Sequence, residues 1–275
     1  MKKLMMGIMV AIIAVAALSG CGAKESANQP ANRLEKILAD GKLIVSTSPD
    51  YPPYEFMDPS KTGQDAIVGA DIDFAKYIAE QLGVELVIEA MGFDPALAAV
   101  QEGKADLCIS GLAYKEDRAK AMQLTDNYNL ASYQGIMIPA NKAGELKTAA
   151  DFSGLLIGAQ NASLQYENVE TQLPEAKIEP IASLSDGILM LQSGKIDALA
   201  MSGTSGEQYS KNYDDITMSE FRFEMTNKGT CVGVMNGEKE LFDKVNEIIK
   251  TVNEQGLYSQ WQEAALELSS EIAAK

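Results

Sequence analysis

Six residues occur twice in nearly the same form. Gln101-Glu102-Gly103-Lys104-Ala105-Asp106 is answered by Gln192-Ser193-Gly194-Lys195-Ile196-Asp197. Each copy follows an apolar stretch at helical spacing (Leu97 and Val100; Leu189 and Leu191). Each leads into an apolar run closing on Ser-Gly (Ser110-Gly111; Ser202-Gly203). A helix that stops at a glycine, turns and enters a buried strand accounts for both patterns. Two αβ units of one design predict two similar lobes, and two lobes enclose a cleft of the kind small molecules occupy.

The first residues point to a compartment. Lys2 and Lys3 precede an apolar run from Leu4 to Leu18, and Leu18-Ser19-Gly20-Cys21 closes it with small residues and a cysteine. Such a run is too short and too sharply ended for a stable membrane span and reads as a secretory signal over residues 1–20. Its end resembles a bacterial lipobox, which implies a lipid on Cys21 and an extracytoplasmic protein anchored to the cell membrane. Residues 21–33, polar and small, read as a flexible tether.

Composition narrows the chemistry. Without Lys2 and Lys3 the 23 basic residues fall to 21 against 39 acidic ones, a net charge of −18. That surface repels nucleic acid and anionic lipid. The chain has no histidine, which removes Ser-His-Asp and Cys-His nucleophiles and histidine-based metal sites. No metal or cofactor is expected. Cys108 and Cys231 lie in apolar strand-like segments and read as buried thiols; a disulfide between them is the alternative for an exported chain.

Helix and strand signals alternate. Asn32 caps a helix carrying Leu34, Ile37 and Leu38 that ends at Gly41. The strand Leu43–Thr47 follows, then a helix with Ile72, Phe74, Ala75, Ile78 and Leu82 on one face, stopped by Gly83. Strand Val84–Ile88, helix Pro95–Gln101 and strand Asp106–Ser110 complete a βαβαβ pattern, which means a parallel sheet flanked by helices. A second set begins near Asp151: strand Leu155–Ile157, a helix beginning over Ala162–Val169, strand Lys177–Ile181, helix Leu184–Leu191 and strand Ile196–Met201. Glu238–Val252 and Tyr258–Leu268 are amphipathic helices. Ser132–Ile138 and Thr230–Met235 read as crossings, placing lobe 1 over 34–131 plus 231–275 and lobe 2 over 132–230. Two crossings make a hinge that closes around a ligand.

Taken in order, Val45-Ser-Thr-Ser-Pro-Asp-Tyr-Pro-Pro-Tyr-Glu-Phe56, Gly69-Ala-Asp-Ile-Asp-Phe-Ala75, Gly92-Phe-Asp94, Ile109-Ser-Gly-Leu-Ala-Tyr-Lys-Glu-Asp-Arg-Ala119 and Leu124-Thr-Asp126 resemble the family 3 extracellular solute-binding proteins, the lipid-tethered receptors of polar amino acid ABC importers. The resemblance covers Lys42 to Trp261. It implies the α/β, two-lobe type II periplasmic-binding-protein fold, each lobe a mostly parallel sheet flanked by helices, joined by two hinge strands. It also implies a monomer that hands a small carboxylate-bearing solute to a membrane permease.

The resemblance assigns roles residue by residue. Arg118 grips the ligand carboxylate, its planar fork matched to that group, with backbone amides near Ser110, Gly111 and Ala113. Tyr51 and Phe93 line the ligand side chain, whereas Tyr54 and Phe56 read as core. Gly158–Leu164 resembles the loop that completes the carboxylate site at a helix start, with Ser163 as donor, Gln160 lining the pocket and Leu164 beside them. Three positions depart from the family pattern: Ala113 where a hydroxyl is usual, Leu164 where Thr is common, and Ser202 where an acid pairs with the ligand ammonium. A buried ammonium without an anion is costly, so Glu207, Asp50 or Glu55 is expected to substitute, or carbonyl oxygens suffice. The three losses point to an apolar or aromatic amino acid or a related carboxylate. The alternative function is an enzyme on the same fold resembling exported cyclohexadienyl dehydratases, which needs an acid poised in the cleft.

Overall fold

A computed structural model describes residues 30–225 and 229–273. The expected signal and Cys21 lie outside the described residues. From Pro30 onward the order of elements follows the alternation read above. Asn32 Oδ1 accepts the Glu35 amide at 2.9 Å and starts the helix Arg33–Asp40, and Gly41 closes it in the left-handed region.

Two five-stranded sheets are built to one plan. In the first, Glu85–Ala90, Lys42–Thr47 and Leu107–Cys108 run parallel; Gly233–Val234 follows antiparallel, and Gln123–Leu124 closes the edge. In the second, Lys177–Ile181, Leu156–Gln160 and Ala198–Ser202 run parallel; Gln134–Pro139 is antiparallel, and Ile216–Arg222 closes the edge. The single reversed strand in each sheet is the one whose chain has just crossed from the other lobe. The crossings run side by side as an antiparallel pair, Asn129–Leu130 with Gly229–Thr230.

Both sheets are covered on two faces, so their strands are apolar almost throughout. Leu43, Val45 and Leu107 face the helix Ala70–Leu82, while Ile44 and Cys108 face the other layer with Leu97 and Val100. The second lobe alternates likewise: Ile157, Ala159, Ala198 and Ala200 on one side, Leu156, Leu199 and Met201 on the other. The C-terminal helices Lys239–Gln255 and Leu257–Ala273 return to the first lobe, packing Leu241, Val245, Ile249, Tyr258 and Ala265 into its core. Trp261 lies 5.5 Å from the Tyr77 ring and 6.2 Å from Phe74 between centroids.

The repeated hexapeptides occupy equivalent places. Gln101 and Gln192 end the helices Phe93–Gln101 and Leu184–Gln192, and Gly103 and Gly194 both turn at φ +70°. The strand expected over Asp106–Ser110 is confined to Leu107–Cys108, although the Asp106 and Ile109 amides still donate to Ile44 and Ser46 of the neighbouring strand.

Candidate ligand-binding cleft

In sheets of this type the carboxyl ends of parallel strands carry the ligand site. Here the ends of Lys42–Thr47 and Leu107–Cys108 face those of Leu156–Gln160 and Ala198–Ser202 across a cleft. That cleft is narrow, with about 50 Å3 of free interior, less than a small-molecule site usually offers. Tyr51, Phe93, Ser110, Gly111, Ala113, Arg118, Gln160, Ser163 and Leu164, all expected from sequence, line it. Also on the wall are Ser48, Asp50, Glu55, Gln134, Gln165 and Thr230.

Arg118 belongs to the short helix Glu116–Ala121 of the first lobe and is only 7% exposed. Its Nη1 donates to the Ala113 carbonyl, and its Nη2 donates across the cleft to the Ala162 carbonyl at 2.8 Å. Its guanidinium carbon lies 5.6 Å from the Phe93 ring centroid, a cation–π contact. Burial depresses its pKa, yet a guanidinium stays charged at any physiological pH. No ion pair with a carboxylate is formed by Arg118 among the described residues.

Phe93 is the first residue of its helix, and Leu184, the first residue of the equivalent helix, faces it from the second lobe. Gly111 turns at φ +53°, and a Cβ there would lie 2.7 Å from Tyr51 Cε1. Glycine is therefore required twice over at this point, by backbone and by contact. The Gly111 amide donates to Asp71 at 2.7 Å, so it is committed to the fold rather than free for a ligand. Ser163 caps the helix Leu164–Gln172 by accepting the Tyr166 amide at 3.0 Å.

Two carboxylates stand in the wall. Asp50 accepts the Ser48 hydroxyl at 3.0 Å, the Leu184 amide at 2.6 Å and the Gln160 side-chain amide at 3.3 Å. Burial raises its pKa, opposed by the Leu184 and Ser48 donors. Glu55 lies deeper, 1% exposed, accepting from Ser110 Oγ at 2.9 Å. Burial first, then the charge of Asp71, lifts its pKa well above the carboxylate range. Asp71 is raised by burial but takes three donors, Gly111 N, Tyr128 OH and Tyr258 OH. Of the two, Asp71 is the better solvated by its partners and keeps the charge, and Glu55 keeps the proton.

Two sequence expectations are corrected. Ser202 does not line the cleft. It is 1% exposed, caps the helix Gly203–Asn212 through the Ser205 amide at 3.3 Å, and stands with Gln165 within hydrogen-bonding reach of the Tyr51 phenol. The small side chain leaves room for that phenol. Glu207 lies apart from the cleft and accepts from Tyr133 OH at 2.8 Å, which leaves Asp50 and Glu55 as the acids on its wall. Cys108 and Cys231 are both free thiols. Gln134 and Thr230 are brought in by the crossings rather than by a local pattern; Gln165 follows Leu164 in its helix, and Ser48 carries one readable signal, a polar residue directly after a buried strand.

Known proteins resemble this chain in sequence and fold. The arginine-binding extracellular protein ArtP of Bacillus subtilis is 29% identical over 258 residues, 93% of this chain and 94% of that one. The amino acid ABC transporter substrate-binding protein AbpA of Streptococcus pneumoniae, solved bound to L-arginine, superposes with a TM-score of 0.80 at 30% identity, covering 86% of this chain and 98% of the other. The ancestral amino acid-binding protein AncCDT-1, a precursor of cyclohexadienyl dehydratase, gives a TM-score of 0.75 at 26% identity over 86% of this chain and all of that one, 100%. Residues 43–266 match the model of the bacterial extracellular solute-binding proteins, family 3, and the chain belongs to that family.

Proposed function

We propose that the chain captures an amino acid by closing its lobes and delivers it to the membrane permease of an ABC importer, from the end of a lipid-anchored tether. The observation that carries this reading is Arg118: a buried cation beside a cleft, paired with no carboxylate among the described residues. A buried charge of that kind is stabilised by an incoming anion, and an amino acid supplies its α-carboxylate. Asp50, on the wall of the same cleft, then supplies the negative partner that Ser202 does not. The ligand is a zwitterion placed between these two charges.

The side chain is read as polar rather than apolar. The losses at Ala113 and Leu164 are outweighed by Asp50, Glu55 and three glutamines on the wall, and the relatives named above include binders of arginine. Calorimetry against the twenty common amino acids tests the reading. Tight binding of a polar one supports it, preference for an apolar or aromatic one restores the reading drawn from Ala113, Leu164 and Ser202, and binding of none overturns it.

A second reading rests on Glu55, a protonated acid on the cleft wall such as a dehydratase requires. Loss of substrate absorbance on incubation with prephenate or arogenate decides for it; binding without turnover decides against it.

A further inference from the structure

One helix of the second lobe, Gly203–Asn212, is pinned to the first lobe at two neighbouring residues. Tyr209 OH donates to the Asp50 carbonyl at 2.9 Å. Next to it, Gln208 Oε1 accepts from Ser269 Oγ at 3.0 Å and Ser270 Oγ at 3.2 Å, both on the C-terminal helix. That helix begins in the core of the first lobe with Tyr258 and Trp261 and ends against the second. The family match covers residues 43–266, and the two serines lie just past its end. Gln208 is 3% exposed and Ser269 6%, which makes the contact a buried one and costly to leave unmade.

Asp50 transmits the first contact into the cleft. Its carboxylate accepts the Leu184 amide at 2.6 Å, a free donor at the start of a second-lobe helix, and holds the Gln160 side-chain amide. With Gln160 Nε2 directed at Asp50 and the Ala182 carbonyl, its oxygen is the end left for a ligand donor.

We propose that helix Gly203–Asn212 is the closing latch of this receptor. Tyr209 and Gln208 are positioning residues that hold Asp50 and Gln160 in place and set how firmly the lobes hold an amino acid. The inference rests on the binding function proposed above. Tyr209 is not on the cleft wall, so removing its hydroxyl deletes no ligand contact. A buried hydrogen bond shifts a two-state ratio about threefold to tenfold. Loss of closed state appears in ligand dissociation rather than association.

The test uses spin labels at Glu116→Cys and Glu170→Cys, exposed residues on helices of the first and second lobes, in a Cys21→Ser chain. Electron–electron distance distributions are recorded for the otherwise unaltered chain, for Tyr209→Phe and for Ser269→Ala/Ser270→Ala, each with and without L-arginine. The expected result is a longer-distance population enlarged about threefold to tenfold in both variants, with L-arginine dissociating faster by the same factor and associating within about twofold. Distributions that superimpose on the parent in both variants overturn the latch, and if one variant fails to fold the other decides alone. If L-arginine, and then each other common amino acid, leaves the parent distances unchanged and does not bind, the binding function fails instead, and the comparison between variants without ligand still judges the latch.

Discussion

Asp106 and Asp197 grip the neighbouring parallel strand of their own lobes in the same way. The Asp106 carboxylate accepts the Ile44 amide at 2.8 Å while its own amide donates to the Ile44 carbonyl at 2.8 Å. Asp197 does both with Leu156, again at 2.8 Å. The environments differ: Asp106 is buried and pairs with Arg33 at 3.3 Å, whereas Asp197 is exposed. Asp106→Asn is therefore expected to lower unfolding free energy by about 1.5–3 kcal/mol and Asp197→Asn by about 0.5–1.5 kcal/mol. Neither should change ligand affinity. Urea unfolding and calorimetry check this, and an affinity loss at unchanged stability would move Asp197 into the binding site.

Arg118→Ala removes the cation that bridges the carbonyls of Ala113 and Ala162. Affinity is expected to fall by about 2–5 kcal/mol with a smaller loss of stability. Arg118→Lys should not restore it, since an ammonium cannot present two parallel donors. Titration of both variants with the best ligand of the parent protein measures the effect.

Gly111→Ala combines a left-handed backbone with a Cβ pressed against the Tyr51 ring. The backbone alone costs about 1–2 kcal/mol, and displacement of Tyr51 should weaken binding as well. Thermal unfolding and calorimetry, read together, separate the two effects; a variant unchanged in both contradicts the placement of Tyr51.

Glu55 carries a proton in the folded chain that the unfolded chain releases. The stability owed to that proton is complete below the group's ordinary pKa of 4.5 and is lost as pH rises from there toward the raised folded value. Each pH unit within that window removes up to about 1.4 kcal/mol. Glu55→Gln keeps the shape without titrating. It should match the parent below that ordinary value and become progressively more stable than the parent as the pH increases, as measured by unfolding at a series of pH values. A constant difference across the series would contradict a protonated Glu55.

Cys108 and Cys231 are each pushed up by burial to a pKa of about 12, and a thiol reacts as its thiolate. In a Cys21→Ser chain, a thiol-reactive dye should label neither residue in the native state and both in denaturant. Failure to label in denaturant without reductant would reveal a disulfide.

Much of this was legible in the chain itself. Gly41, Gly83, Gly103 and Gly194 marked helix ends because a left-handed turn is a local event with a local cause. Arg118, Tyr51 and Phe93 were legible through the order of family motifs. Ser202 was not: its motif position suggested a cleft residue, but the phenol of Tyr51 reaches it from the other lobe, a contact no single segment encodes. Asp50 was visible only as one acid among three. Its geometry depends on Leu184 and Tyr209, distant in sequence and brought near only when both lobes are built.

The reversed strand Gly233–Val234 lies between Leu107–Cys108 and Gln123–Leu124, joining the edge strand to the rest of its sheet. During synthesis or export, the amino-terminal lobe must wait with a gap beside its edge strand until the whole of its twin has emerged. The twin has all five of its strands in hand by Arg222. The half made first is finished last, and a chain interrupted before Gly233 leaves its edge strand Gln123–Leu124 unjoined.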